Sequence, residues 1–167
     1  MVIYPDLVTL REVYSNYIRK QIEDNNEVVL VNPFYETTDS VRQVLSEKYN
    51  DGMNSISKHE KERSLMIADA MEEYFSAQPL QYLKKGLANY SKLGRIGLSV
   101  LADLGGYTHK FKYEELVGYE LSLPKKYDTQ MKGYCIYHQK DFVKLSDEQR
   151  QKLIEHHGKA IKVMEAQ

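Results

Sequence analysis

The spacing of apolar residues changes repeatedly along the chain, and this predicts alternating helices and strands. Residues 6–25 carry apolar side chains at helical spacing with charged residues on the other side, which is typical of an amphipathic helix. The next run, "EVVLVNPF" from Glu27 to Phe34, is continuous and β-branched. Such a run predicts a strand that is covered on both faces, as in a parallel sheet.

Two shorter elements are predicted after this strand. Thr37 or Thr38 is a suitable N-cap for a short helix in "YETTDSVRQVLSEKY", because a threonine hydroxyl accepts from free backbone N–H groups. Residues 53–58 alternate weakly after the turn pair Asp51-Gly52, which predicts an edge strand. The chain would therefore cross over through a helix before it returns to the sheet.

Two later segments share one pattern. Residues 64–75 and 97–107 both run from a small residue through apolar positions to Ala-Asp, and we interpret them as sister strands that end on Asp69 and Asp103. Between them, residues 79–93 have a proline start, a periodic apolar face and a glycine stop, which predicts a helix. The two aspartates would then lie at the carboxyl ends of successive strands.

The last third of the chain continues the alternation. The predicted elements are a helix over 112–123, a strand over 132–142, a helix opened by a Ser146 and Gln149 capping box and ended by Gly158, and a strand over 159–164. Alternating elements predict an α/β fold, a three-layer sandwich with a mostly parallel sheet, formed as a single domain over 1–167 with the helix of residues 6–25 packed on it.

Polar residues follow several predicted strands at their carboxyl ends, where open parallel sheets bind ligands. Asp69, Asp103 and His138 lie at or just past such ends, and Glu36 and Thr37 follow the first strand. These side chains could converge on one crevice. The alternative is that each aspartate caps the next helix or holds a loop.

The turn after the first strand lacks the residues that hold a nucleotide phosphate. It reads "NPFYETTDS", without glycine or lysine and with the acidic Glu36. A phosphate would be repelled there, although "SLMIAD" and "LSVLAD" look like strands whose aspartate holds magnesium. An enzyme that uses Asp69 and Asp103 with a divalent metal on a nucleotide is therefore the least favoured reading.

The single cysteine lies in "GYCIYHQKDF", residues 133–142. Strand alternation places Cys135 and Tyr137 on one face and His138 on the other, so Cys135 and His138 cannot bind one ion within a regular strand. A lone pair is also too few for zinc, so we expect a buried structural cysteine and no metal or cofactor. We interpret His156 and His157 as helix-terminal residues that are favoured by the helix dipole.

Composition narrows the possible partners. The chain has 23 basic and 24 acidic residues, which gives no signature of nucleic-acid binding or of membrane binding through basic residues. One cysteine cannot form an internal disulfide, and neither a signal peptide nor a membrane-spanning run is visible. We expect a cytoplasmic protein.

The C-terminal third resembles the MEDS family, a methanogen and methylotroph sensory domain. The shared pattern is a helix with Tyr119 and Glu120, a strand with Cys135 and Tyr137, then an aspartate and a histidine. The last two correspond to Asp141 and His157. The earlier segments fit the same layout, close to compact archaeal versions, so the resemblance covers nearly the whole chain.

The resemblance implies a RecA/KaiC-like core that has lost its phosphate loop and senses small organic molecules. It makes Tyr119, Glu120, Tyr137 and Asp141 candidate ligand-binding residues, and Glu120 either binds a ligand or ties down the neighbouring strand. We therefore expect a non-catalytic sensory domain with its ligand at the carboxyl edge of the sheet, acting on a separate output protein. The alternative is a module for protein interaction or homodimer formation in which the ancestral pocket is closed.

Overall fold

The centre of the protein is a six-stranded sheet in which every pair of neighbouring strands is parallel. The structure is a computed structural model that describes residues 1–70, 88, 90–127 and 130–164. The strands are β1 (Val2–Tyr4), β2 (Glu27–Asn32), β3 (Leu65–Ile67), β4 (Gly97–Asp103), β5 (Met131–His138) and β6 (Ile161–Lys162). Their order across the sheet is β3-β2-β4-β5-β1-β6.

Helices cover both faces of this sheet and complete the predicted three-layer α/β sandwich. Among the described residues they are α1 (Leu7–Glu23), α2 (Thr38–Ser46), α3 (Met53–Lys61), α4 (Gly105–His109), α5 (Tyr113–Ser122), α6 (Gln139–Phe142) and α7 (Asp147–His157). On one face, α1, α2 and α3 pack against alternate residues of the strands. On the other face, the core includes residues of α4, α5, α6 and α7.

Local signals in the sequence account for several helix ends. Asp6 and Thr37 are N-caps whose side chains accept from Thr9 and Ser40 backbone N–H groups. The predicted capping box of Ser146 and Gln149 is present, and Gly158 ends α7 in the left-handed conformation. These helices begin and end where the sequence predicts because their caps need only neighbouring residues.

The pleat of β5 confirms the predicted division of its side chains. Cys135 and Tyr137 belong to the core under α5 and α7, whereas Tyr134 and Ile136 face α1. The strand ends at His138, and residues 139–142, which were predicted as strand, form the short helix α6. The prediction was wrong there because the His138 side chain caps a helical turn.

Two further predictions at the sheet edges were wrong or incomplete. Residues 53–58 are not an edge strand but belong to helix α3, which Gly52 begins at a φ of 54° and whose Ile56 is fully buried. Strand β1 was not predicted, because three residues are too few to show a period. It lies between β5 and β6 and is buried throughout.

Parts of two predicted elements lie outside the described residues. They are residues 71–75 of the predicted strand and residues 79–87 and 89 of the predicted helix. None of the helices in the described part of the chain has the length and apolar character needed to cross a membrane.

Candidate functional site

Asp103 ends the central strand β4 and lies buried at the carboxyl edge of the sheet. Its Oδ2 accepts from the Tyr4 hydroxyl at 3.0 Å, and its Oδ1 accepts from the Gly105 backbone N–H at 2.9 Å. Burial raises the pKa of Asp103 to about 7, although these two hydrogen bonds act in the opposite direction. Both oxygens are thus engaged within the protein, and Asp103 caps the turn into α4.

The turn after β2 fills the space beside Asp103 with aromatic side chains. Phe34 and Tyr35 lie so close to Gly105 that an added Cβ would be 2.4 Å from Cδ1 of Phe34, so only glycine fits there. The Tyr35 hydroxyl donates to Asp141 across the edge. The aromatic residues that follow β2 therefore occupy the crevice predicted from the sequence.

Glu36 is held on the outer side of the same turn. Its side chain is 3% exposed, and its carboxylate accepts from Arg11 Nε at 2.7 Å and from the Tyr14 hydroxyl at 3.3 Å. Thr37 caps α2 and is exposed. These contacts tie the turn to α1, and they pair the charge that was expected to repel a phosphate.

His138 and Asp141 lie on the other side of Asp103. The His138 ring contacts Tyr4 edge-on with centroids 5.0 Å apart, and its Nδ1 accepts from the Lys140 backbone N–H. Burial tends to raise the pKa of Asp141, but hydrogen bonds from Lys144 and Tyr35 outweigh burial, and the pKa is lowered. Asp103, His138 and Asp141 are therefore brought together.

Asp69 lies apart from these residues in the sheet. It is exposed just past β3, which is separated from β4 by β2 and from β5 by β2 and β4. Three strand spacings amount to about 14 Å between β3 and β5. The cavity between Asp103, Glu36 and α1 measures only about 20 Å³, so side chains fill this part of the predicted crevice.

A second buried carboxylate, Glu120 of α5, has three partners on the opposite side of the sheet from α1. Its Oε1 accepts from the Tyr137 hydroxyl at 2.7 Å, and its Oε2 lies 3.2 Å from Cys135 Sγ and 3.2 Å from His157 Nε2. The Glu120 side chain is fully buried. Glu120 thus ties α5 to β5 and α7, as one of the two sequence interpretations proposed.

The other members of this cluster are held by their own surroundings. His157 Nδ1 is 2.8 Å from the Leu153 carbonyl oxygen, one turn earlier in α7. Burial, with the adjacent Glu120 carboxylate, raises the pKa of the Cys135 thiol. Tyr119, the neighbour of Glu120, stacks on Tyr107 with the ring centroids 5.7 Å apart.

A pocket of about 250 Å³ opens above the cluster, where β1 and β6 begin. Glu120, Cys135 and His157 line its inner part. Several basic residues line the rest, namely Lys125, Lys132, His156 and Lys159. All three lysines are exposed, and Lys132 is also paired with Glu27 at 2.6 Å. The pocket thus has an acidic inner end and a basic rim.

The cluster has the composition of a metal site. Glu120 Oε2, Cys135 Sγ and His157 Nε2 all lie within 4.8 Å of one another. The sequence analysis considered Cys135 only with His138 and treated His157 as a helix-terminal residue, because each was assessed within its own element. The residue pattern on which the sequence analysis based its expected family resemblance was the one signal that grouped Glu120, Tyr137 and these two residues.

The chain matches no protein-family model and no curated protein. The contacts and pockets described above therefore carry the functional argument.

Proposed function

We propose that this protein is a non-catalytic sensory or regulatory domain that binds a small organic anion in the pocket above Glu120. The observation that carries the proposal is that Glu120, Cys135 and His157 line an open pocket of about 250 Å³, whereas only about 20 Å³ remains beside Asp103. The proposed ligand site is therefore not at the carboxyl edge of the sheet, where the sequence analysis expected it.

The basic rim favours an anionic ligand. Lys125 and Lys159 lie on the rim with His156 between them in sequence, whereas Glu120 at the inner end is surrounded by hydrogen-bond donors. A carboxylate on a small ligand would gain charge-assisted hydrogen bonds from the lysines, and the apolar part would lie against Leu123 and Ile161. The volume suits a ligand of a few heavy atoms.

The resemblance to the MEDS family supports a sensory role in the same pocket. Four of the residues that carry the resemblance, Glu120, Cys135, Tyr137 and His157, meet in the cluster at its inner end. A ligand there would contact α5, β5 and the end of α7 together. Binding could therefore be transmitted through the relative position of two helices and the sheet, which a partner protein would read.

The test is a thermal-shift screen of short-chain carboxylates together with their matching uncharged amides. A ligand present at 100 times its dissociation constant stabilises the fold by about 2.7 kcal/mol, which corresponds to a rise in Tm of roughly 5 to 10 °C for a chain of this size. We expect this rise from at least one acid and not from its amide. Failure of every acid to stabilise the protein would contradict the proposal.

Matched variants locate the binding site. Lys159→Gln and Lys125→Gln each remove one rim charge, and we expect each to weaken acid binding about tenfold. Lys61→Gln removes an exposed charge at the end of α3, on the other side of the sheet, and is the control. Equal binding by all four proteins would place the ligand elsewhere.

The filled space beside Asp103 favours a second candidate, an interaction module whose ancestral pocket is closed. Tyr35 and its hydrogen bond to Asp141 bridge the edge there, and Phe34 presses on Gly105. Light scattering of the purified chain tests this candidate. A stable dimer that no small acid changes would favour it over ligand sensing, and a monomer that binds an acid would exclude it.

A further inference from the structure

We propose that Glu120, Cys135 and His157 bind one divalent transition-metal ion of the zinc type and leave a coordination position open to the pocket. The three ligand atoms come from α5, β5 and α7. The inference deepens the proposed function by placing an ion at the inner end of the same pocket. The metal site itself depends only on these three side chains, and it is tested by adding the metal ion without any organic ligand.

The spacing of the three atoms suits such an ion. Glu120 Oε2 lies 3.2 Å from both Cys135 Sγ and His157 Nε2, and all three atoms are within 4.8 Å of one another. Zinc binds sulfur, nitrogen and oxygen at about 2.0 to 2.3 Å, so ligands in a tetrahedral site lie about 3.3 to 3.8 Å apart. Small side-chain rotations would bring the cluster to this geometry.

Hydrogen bonds outside the cluster already orient two of the ligands. The Leu153 carbonyl can only accept, so His157 Nδ1 carries the hydrogen, and Nε2 is the atom that faces the cluster. The Tyr137 hydroxyl occupies Glu120 Oε1 and leaves Oε2 as the oxygen that faces Cys135 and His157. Such outer contacts are a regular feature of histidine and carboxylate metal ligands.

Charge and donor type narrow the choice of ion. Binding would release the Cys135 thiol proton to solvent, and the resulting thiolate and the Glu120 carboxylate would balance the two charges of the ion. Sulfur and imidazole ligands favour zinc-type ions over magnesium or calcium, which prefer oxygen. Three protein ligands are one fewer than in closed structural zinc sites, so the fourth position would be taken by solvent or by a pocket ligand.

The open position gives the basic rim a defined role. An organic acid that bound the ion through one oxygen would extend outward toward Lys125 and Lys159 on the rim. The ion would therefore select ligands with an anionic group that can bind it directly, and the rim lysines would select among them by any further negative charge on the ligand.

The chain has one cysteine, which makes the test decisive in the unmodified protein. Protein that has been dialysed against a chelator is titrated with Co²⁺ alone, and Zn²⁺ is then added to the Co²⁺-loaded protein. We expect one ion per chain, tetrahedral cobalt absorption bands and a thiolate-to-cobalt charge-transfer band, which only Cys135 can supply. We also expect Zn²⁺ to displace Co²⁺ and to remove both signals.

Variants assign the other two ligands. We expect His157→Gln and Glu120→Gln each to weaken Co²⁺ binding at least tenfold, and Tyr137→Phe to weaken it about 10- to 100-fold by freeing the carboxylate. Glu115→Gln, on the same helix as Glu120 but exposed and outside the pocket lining, is the matched control and should bind as the unmodified protein does. Circular dichroism checks that each variant is folded.

Two results would overturn the metal site. One is the absence of stoichiometric Co²⁺ or Zn²⁺ binding to the unmodified protein, and the other is binding without a charge-transfer band. Either result leaves the proposed function intact if a carboxylate still raises Tm in the presence of the chelator. A metal that binds as expected while no acid raises Tm, with or without Zn²⁺, would instead contradict only the proposed function.

Discussion

Asp103 and Glu120 are both buried carboxylates that accept from a tyrosine hydroxyl, but their surroundings differ. Asp103 is enclosed by its own turn and by the aromatic residues after β2, and a void of about 20 Å³ remains beside it. Glu120 has a thiol and an imidazole as its other partners, beside a pocket of about 250 Å³. The first arrangement closes the edge of the sheet, and the second places ligand-type atoms beside open space.

This difference shows that a buried carboxylate indicates a binding site only when its remaining neighbours and the open space beside it are considered as well. Asp103 has the more perturbed environment, with its pKa raised to about 7, yet its two oxygens are used to hold a turn. Glu120 has one oxygen that faces two further metal-ligating side chains. Four variants test this comparison, beginning with the one of largest expected effect.

Glu120→Ala should be the most destabilising of these changes. It leaves Tyr137, Cys135 and His157 without their shared acceptor, and removing one partner of such a buried set lowers the free energy of unfolding by about 3 to 5 kcal/mol. Urea unfolding at neutral pH measures the loss. Glu115→Ala on the same helix, where the side chain is 60% exposed, is the control and should change stability by less than about 0.5 kcal/mol.

A loss for Glu120→Ala as small as that for Glu115→Ala would contradict the view that the cluster holds α5, β5 and α7 together.

Asp103→Asn should change how stability depends on pH. The folded state raises the pKa of Asp103 from 3.8 to about 7, so its protonated form contributes stability that is fully present below about pH 4 and lost as the pH rises through 7. The loss for this group between pH 5 and pH 8 is about 2.5 kcal/mol. Asparagine cannot ionise, so the variant should gain this amount over the unmodified protein at pH 8 relative to pH 5.

The groups that face Asp103 are Tyr4 from β1, Tyr35 and Glu36 from the turn after β2, His138 at the end of β5 and Asp141 from α6. Burial lowers the pKa of His138, and its titration contributes equally to the variant and to the unmodified protein. Burial raises the pKa of Tyr4, so it does not titrate in this range, and the lowered pKa of Asp141 places its own transition below pH 4. Urea unfolding at both pH values gives the comparison. Parallel pH profiles for the two proteins would show that Asp103 is not the group responsible.

The smallest effects are expected from removing single hydroxyl groups. Tyr137→Phe removes the donor to Glu120 and should cost about 1 to 2 kcal/mol, whereas Tyr4→Phe should cost about 1 kcal/mol at pH 5 and more at pH 8, where Asp103 is ionised. Tyr49→Phe is the matched control, because the buried Tyr49 hydroxyl has no hydrogen-bond partner among the described residues.

We expect Tyr49→Phe to be neutral or slightly stabilising, since it removes an unsatisfied buried group. Thermal and urea unfolding of the three variants together distinguish the stability contributed by the two hydrogen bonds from the general effect of removing a buried oxygen. Equal losses of stability in all three variants would contradict the view that the hydrogen bonds to Asp103 and Glu120 stabilise the fold.

The features that depend on neighbouring residues could be predicted from the amino-acid sequence. The apolar period over residues 6–25, the capping residues Thr37 and Ser146 and the alternation of β5 were sufficient to predict α1, α2, α7 and the face on which Cys135 and Tyr137 lie. The α/β class with a parallel sheet followed from the same periods. Each of these features is set within a few residues.

Contacts between residues far apart in the sequence could not be predicted in this way. The insertion of β1 between β5 and β6, the filling of the carboxyl edge by Tyr35, and the meeting of Glu120 with Cys135 and His157 each depend on the strand order and on packing across the sheet. A periodic pattern shows which face of an element is buried but not which element covers it. His157 therefore looked like a helix-terminal residue until α7 was placed beside α5.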